Sequence, residues 1–117
     1  MKFFAIIAAL ALGERALSAQ AAGDHPVEWM VQSYEPMTVP LGHIVTFIWT
    51  GNHGIVHIPT EECPTTFADN PDIEILAPES VDGRYVWNAD EAGEHWFTCQ
   101  VGAHCDAGQK IKVIVTA

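Results

Sequence analysis

The run Ile44-Val45-Thr46-Phe47-Ile48-Trp49 is β-branched or aromatic at every position, and its alternation puts Val45, Phe47 and Trp49 on one face. It reads as a strand with that face turned to a core. Runs of the same kind recur outward from it, at Val27 to Tyr34, Met37 to Val39, Ile55 to Ile58, Ile73 to Leu76, Arg84 to Asn88, Glu94 to Thr98 and Lys110 to Thr116. Gly42, Gly51 and Gly93 mark turns between them, and Pro36 and Pro40 suit an edge or a switch between sheets. The stretch from Glu61 to Pro71 is an irregular excursion with room for a short helix. No long helical period, internal repeat or low-complexity tract occurs. Seven to eight short strands in a small domain predict an all-β, Greek-key two-sheet β-sandwich.

Ahead of the strands stands one cation, Lys2, then an apolar stretch from Phe3 to Leu12 and a small-residue segment from Ala16 to Ala22. This is the pattern of a signal peptide, residues 1–21, with cleavage after Ser18 or Ala21. An apolar stretch of about ten residues falls short of the roughly 20 that a membrane-spanning helix needs. No other segment is apolar and long enough to span. The expected product is a secreted, monomeric domain of residues 22–117.

The chain has 5 Lys+Arg and 15 Asp+Glu, a formal charge of −10. Removing Lys2, Glu14 and Arg15 with the leader leaves three cations against fourteen anions, or −11. Nucleic acid and anionic lipid are poor partners for such a surface. A protein partner with a basic patch suits it better.

Cysteine parity carries the next step, because the chain has 3 cysteines and a secreted domain can pair only two of them internally. One is left as a thiol or a ligand. In Cys99-Gln100-Val101-Gly102-Ala103-His104-Cys105-Asp106-Ala107-Gly108-Gln109, a thiolate, an imidazole and an amide oxygen come from one short segment. That donor set suits copper better than a hard cation. Zinc would also accept the cysteine and histidine. Extended, each five-residue step would separate these ligands by roughly 16 Å, so the segment must fold back, with Gly102 and Gly108 as the residues that allow it. A second imidazole must come from elsewhere, and among His25, His43, His53, His57 and His95 the best placed is His53, beside the turn Gly51-Asn52. His57 would lie roughly 13 Å further along an extended strand, too far to share the ion. His95 reads as a surface residue, and Trp49 and Trp87 as core. If Cys99 is a ligand, Cys63 and Cys105 remain as a disulfide pair; pairing Cys99 with Cys105 is the alternative.

The segment Gly93-Glu94-His95-Trp96-Phe97-Thr98-Cys99, followed by His104-Cys105, Gly108, Gln109 and Lys110, resembles the phytocyanins, plant-type blue copper proteins of the cupredoxin fold, and in particular their stellacyanin-like branch. The resemblance implies Cys99, His104 and His53 as equatorial ligands, Gln109 as the axial ligand and a disulfide between Cys63 and Cys105. It departs from the family pattern at His53-Gly54-Ile55, where relatives carry Asn after the histidine and this chain has Asn52 before it. The expected function is a one-electron carrier with one Cu(I)/Cu(II) ion and a redox partner, and no enzymatic turnover. The rival readings are a copper-sequestering or delivery protein and a non-redox cell-surface module of the same fold.

Overall fold

The computed structural model describes residues 23–117, so the predicted leader and its cleavage points lie outside the described residues. Eight strands form in the order β1 (Asp24–Glu28), β2 (Met37–Pro40), β3 (Ile44–Ile48), β4 (Asn52–Ile58), β5 (Glu74–Val81), β6 (Arg84–Asn88), β7 (Gly93–Thr98) and β8 (Lys110–Thr116). They build a three-stranded sheet, β1-β3-β6, and a five-stranded sheet, β2-β8-β7-β4-β5. The chain passes back and forth between the two, so β1 and β3 lie parallel, as do β2 and β8, while the remaining pairs are antiparallel. The all-β two-sheet sandwich expected from the sequence is the fold observed. Among the described residues no helix is long and apolar enough to cross a membrane.

The alternation that predicted the strands also fills the core. Val45, Phe47 and Trp49 are buried, and from the facing sheet Ile111, Val113 and Val115 of β8 and Phe97 of β7 meet them. Phe47 packs edge-on to Trp29 at 5.1 Å and against Phe97 at 5.6 Å, and Phe97 meets Trp87 at 4.9 Å. Offset and edge-on ring pairs of this kind contribute beyond the area they bury. Trp96, the neighbour of Phe97, points the other way, with Lys112 over its ring.

Four expectations are corrected. The first strand is Asp24–Glu28, and Val27 to Tyr34 is not one strand. After Glu28 the chain turns so that Trp29 enters the core, and the Tyr34 hydroxyl closes the turn by donating to the Glu28 carbonyl and accepting from Met30 N at 2.9 Å. A packed corner and a strand draw on the same aromatic and β-branched residues, which is why the pattern did not separate them. Strand β5 runs on through Pro78 to Val81, because it is an edge strand and a missing N–H costs nothing on the open side. The Glu61 to Pro71 excursion has turns and bends in place of a helix, held by Asn70 Nδ2 donating to Thr66 O at 2.9 Å and by Asp72 N donating to Asn70 Oδ1 at 3.0 Å. His95 is buried, not at the surface.

His95 stacks on His57 at 5.5 Å, and its Nε2 sits 2.8 Å from the Glu91 carbonyl. Burial first, then the neighbouring His95, holds His57 below its ordinary value of 6.5, against the opposing pull of Glu74 and Glu91. The unfolded chain therefore takes up a proton at this site at a higher pH than the folded chain does. Stability from this group is present above about pH 6.5 and falls as the pH drops below it. Urea midpoints should fall between about pH 7 and pH 5.5, and His57→Gln should flatten that slope. Cys63 and Cys105 are joined, closing a separation of 42 residues. Replacing both by Ser should cost about 2–4 kcal/mol in the same measurement.

Candidate metal centre

The centre lies at one end of the sandwich, where β4 and β7 stop pairing. Their antiparallel ladder runs from Ile58↔Trp96 to Val56↔Thr98 and ends there. Beyond it, His53 occupies the second position of β4, and Cys99 is the first residue after β7. The segment from Cys99 to Gln109 then folds back through a chain of turn hydrogen bonds: His104 N to Val101 O at 3.0 Å, Ala107 N to Ala103 O at 3.0 Å, Gly108 N to Cys105 O at 2.9 Å and Gln109 N to His104 O at 3.0 Å. Gly102 and Gly108 have φ of 47° and 106°, the left-handed backbone that the fold-back was expected to require of them. The Gln109 carbonyl accepts from the Thr98 hydroxyl at 2.8 Å and from Cys99 N at 3.3 Å, so the two ends of the loop are tied together. The disulfide fixes the outer part of the loop, next to His104, to the Cys63 region.

This folding brings together the four side chains singled out in the sequence. Cys99 Sγ lies 3.4 Å from His104 Nδ1 and 3.8 Å from His53 Nδ1, with the two imidazole rings 4.9 Å apart. One end of the Gln109 amide is 3.1 Å from His53 Nδ1 and 3.2 Å from His104 Nδ1. Metal–nitrogen and metal–sulfur bonds of about 2.0 and 2.3 Å, opened to tetrahedral or trigonal angles, would separate N from S by roughly 3.5–3.7 Å. The two observed sulfur–nitrogen separations bracket that value, and all three donor atoms lie within 4.8 Å of one another, close enough to share one ion. His57 lies outside the group, as its spacing predicted, and His25 and His43 bond each other at 3.0 Å.

The surroundings favour a neutral His53 and a guarded thiol. His53, Cys99 and Gln109 are buried, with exposures of 8%, 0% and 0%, while His104 reaches partly to solvent. Burial, and then the nearby His104, lowers the His53 pKa, with the Gln109 hydrogen bond acting the other way, so the ring is a lone-pair donor at neutral pH. Burial pushes the Cys99 thiol up, opposed by the backbone N–H groups of Gly54 and Val101 that donate to its sulfur. A cation is therefore what would keep it a thiolate near neutrality.

Sequence reasoning missed the backbone groups. The Trp29 indole donates to Gly54 O at 2.9 Å, and Gly54 N–H reaches the sulfur, contacts with no motif of their own. The only trace was Gly54 itself, a residue without a side chain beside the candidate donor His53. Asn52 turns outward, its amide donating to Glu79 Oε1 at 3.3 Å.

No protein-family model matches the chain. A peeling cupredoxin of cucumber, Cucumis sativus, is 32% identical over 85 residues, which is 68% of this chain and 57% of that protein, so the chain spans little more than half of its relative's length. Cucumber stellacyanin, solved with Cu2+ at pH 7.0, superposes with a TM-score of 0.56 at 23% identity, over 80% of this chain and 97% of that one. An auracyanin from the photosynthetic bacterium Roseiflexus castenholzii gives 0.51 at 21% identity, over 84% and 100%. An amicyanin variant with Cu(I) gives 0.55 at 24%, over 82% and 85%. The structural likenesses speak for the fold, and the cucumber sequence adds 32% identity over about two thirds of a sandwich already assembled: the chain is a phytocyanin-like cupredoxin.

Proposed function

We propose that this is a secreted mononuclear blue copper protein that carries one electron at a time and catalyses no turnover. The observation that carries the reading is the convergence of His53 Nδ1, Cys99 Sγ and His104 Nδ1, whose ligand atoms all lie within 4.8 Å of one another, with the Gln109 amide beside them. Two imidazoles and a thiolate with a weak amide donor form the ligand set of blue copper electron-transfer sites. Copper in the cucumber stellacyanin and amicyanin structures agrees with it.

When bound, copper supplies a one-electron couple. The chain's own residues supply constancy: donors held in a closed, tied loop at the end of a packed core need little rearrangement between two oxidation states. His104, the ligand that reaches solvent, offers the short path to a partner, and the acidic surface favours a partner with a basic patch. In this reading the leader 1–21 is removed and residues 22–117 form the working domain. The buried thiol and His53 suit a retained cofactor better than exchangeable cargo, which calls for accessible ligands.

Three outcomes test this. Adding Cu(II) to the metal-free domain should give an intense thiolate-to-copper charge-transfer band that Cys99→Ser abolishes; a pale complex that survives that change would defeat the carrier reading. Gln109→Met replaces a hard oxygen donor, which favours Cu(II), by a soft thioether. Voltammetry should therefore show a higher reduction potential, and an equal or lower one would remove Gln109 from the axial position. Reducing the Cys63–Cys105 bond should speed copper loss to a chelator.

A further inference from the structure

Gly54 is held from three sides. Its carbonyl accepts the Trp29 indole N–H at 2.9 Å, its own N–H donates to Cys99 Sγ, and its Cα lies under the amide of Gln100. That last contact is so close that a Cβ at position 54 would stand 2.5 Å from both Nε2 and Oε1 of Gln100. No side chain other than hydrogen fits there unless Gln100 moves away.

Gln100 is itself fixed. Its Nε2 donates to the Ala77 carbonyl of β5 at 3.1 Å, so the side chain crosses over β4 and links the segment after β7 to the edge strand. The Ala77 region is where the β4–β5 ladder slips register, between His53↔Ser80 and Ile55↔Ala77. The Gln100 Oε1 is buried with no hydrogen-bond partner. A buried acceptor left unpaired is destabilising, a cost that an apolar side chain here would avoid. The β4–β7 register explains the meeting: carried two steps past Val56↔Thr98, it would set Gly54 opposite Gln100. The regular ladder ends before that point, and the Gly54 N–H turns to sulfur.

We propose that Gln100 is a positioning residue for the metal centre, clamping the Gly54 peptide against β5 so that its N–H stays directed at Cys99 Sγ. The inference rests on the reading of Cys99 as the thiolate ligand. An N–H donating to a thiolate withdraws electron density that the sulfur would otherwise give to the metal, which weakens Cu(II) more than Cu(I). Gln100 therefore holds the potential above the value the ligands alone would set. Asparagine, one methylene shorter, would not cover Gly54 and reach Ala77 O together.

The test uses Gln100→Ala and Gln100→Met, the second keeping length and apolar packing while losing the amide. In the metal-free protein, amide hydrogen exchange at Gly54 should speed up about fivefold in both, the equivalent of one net hydrogen bond. Val56, inside the ladder, should keep its parental rate. Unchanged exchange at Gly54, or equal acceleration along all of β4, would overturn the clamp. Gly54→Ala should accelerate unfolding in the parent and do so less in the Gln100→Ala background, because the obstructing amide is gone; strict additivity would count against the contact. With copper bound, both Gln100 variants should keep the charge-transfer band and show a lower potential. An unchanged potential beside faster Gly54 exchange would overturn the electronic role. Should no band form even in the parent, the copper reading fails, while the exchange result still decides the clamp.

Discussion

The site depends on where one backbone ladder ends. Strands β4 and β7 pair as far as Val56 and Thr98 and no further. Had the ladder continued, the Gly54 N–H would be spent on a carbonyl, and strand geometry would hold the two backbones at about 4.8 Å with their side chains committed to sheet faces. Ending it frees Gly54 N–H for the Cys99 sulfur and lets His53 and Cys99 lean toward each other. The pairing before that point is equally necessary, since it brings residues separated by 46 positions within 3.8 Å. The other two candidate donors, His104 and Gln109, then need only a short loop that returns to its start, and Gln109, tied by its carbonyl to Thr98, is that return.

Around this junction the fold supplies anchoring more than chemistry. Trp29 ties the three-stranded sheet's corner to Gly54, the disulfide ties the His104 loop to the Cys63 excursion, and Gln100 ties the ligand strand to β5. Each link comes from a different part of the chain. In the proposed one-electron role such a cage is an advantage, because rearrangement between oxidation states adds directly to the barrier. The histidines away from the centre serve another purpose: His57 of β4 stacks on His95 of β7, and the acid sensitivity of His57 concerns the stability of the sheet.

What the sequence made legible follows from what each residue can do alone. Val45, Phe47 and Trp49 declared a half-buried strand by alternation, and Ile111, Val113 and Val115 did so on β8. The ligand loop was legible because thiol, imidazole and amide donors are chemically distinctive, and Gly102 and Gly108 because only glycine accepts their backbone readily. Cysteine parity and the resemblance agreed on the disulfide. Boundaries were harder. Trp29 to Tyr34 looks like strand because burial, not extension, selects such residues, and β5 passed unseen beyond Leu76 because an edge strand tolerates Pro78 and polar side chains. His95 seemed external because its burial comes from Trp87 and His57, partners far away in sequence. The Gly54 contacts were invisible for the same reason, being made by backbone atoms that every residue possesses.

In the proposed centre one thiolate and two imidazoles, from β4 and the closing loop, bind a single copper ion. X-ray absorption at the copper edge of the metal-loaded domain addresses it most directly. The expected nearest shell is one short sulfur and two imidazole nitrogens, with the amide oxygen contributing weakly at longer distance. A shell of nitrogen and oxygen alone, with no sulfur at bonding distance, would contradict it.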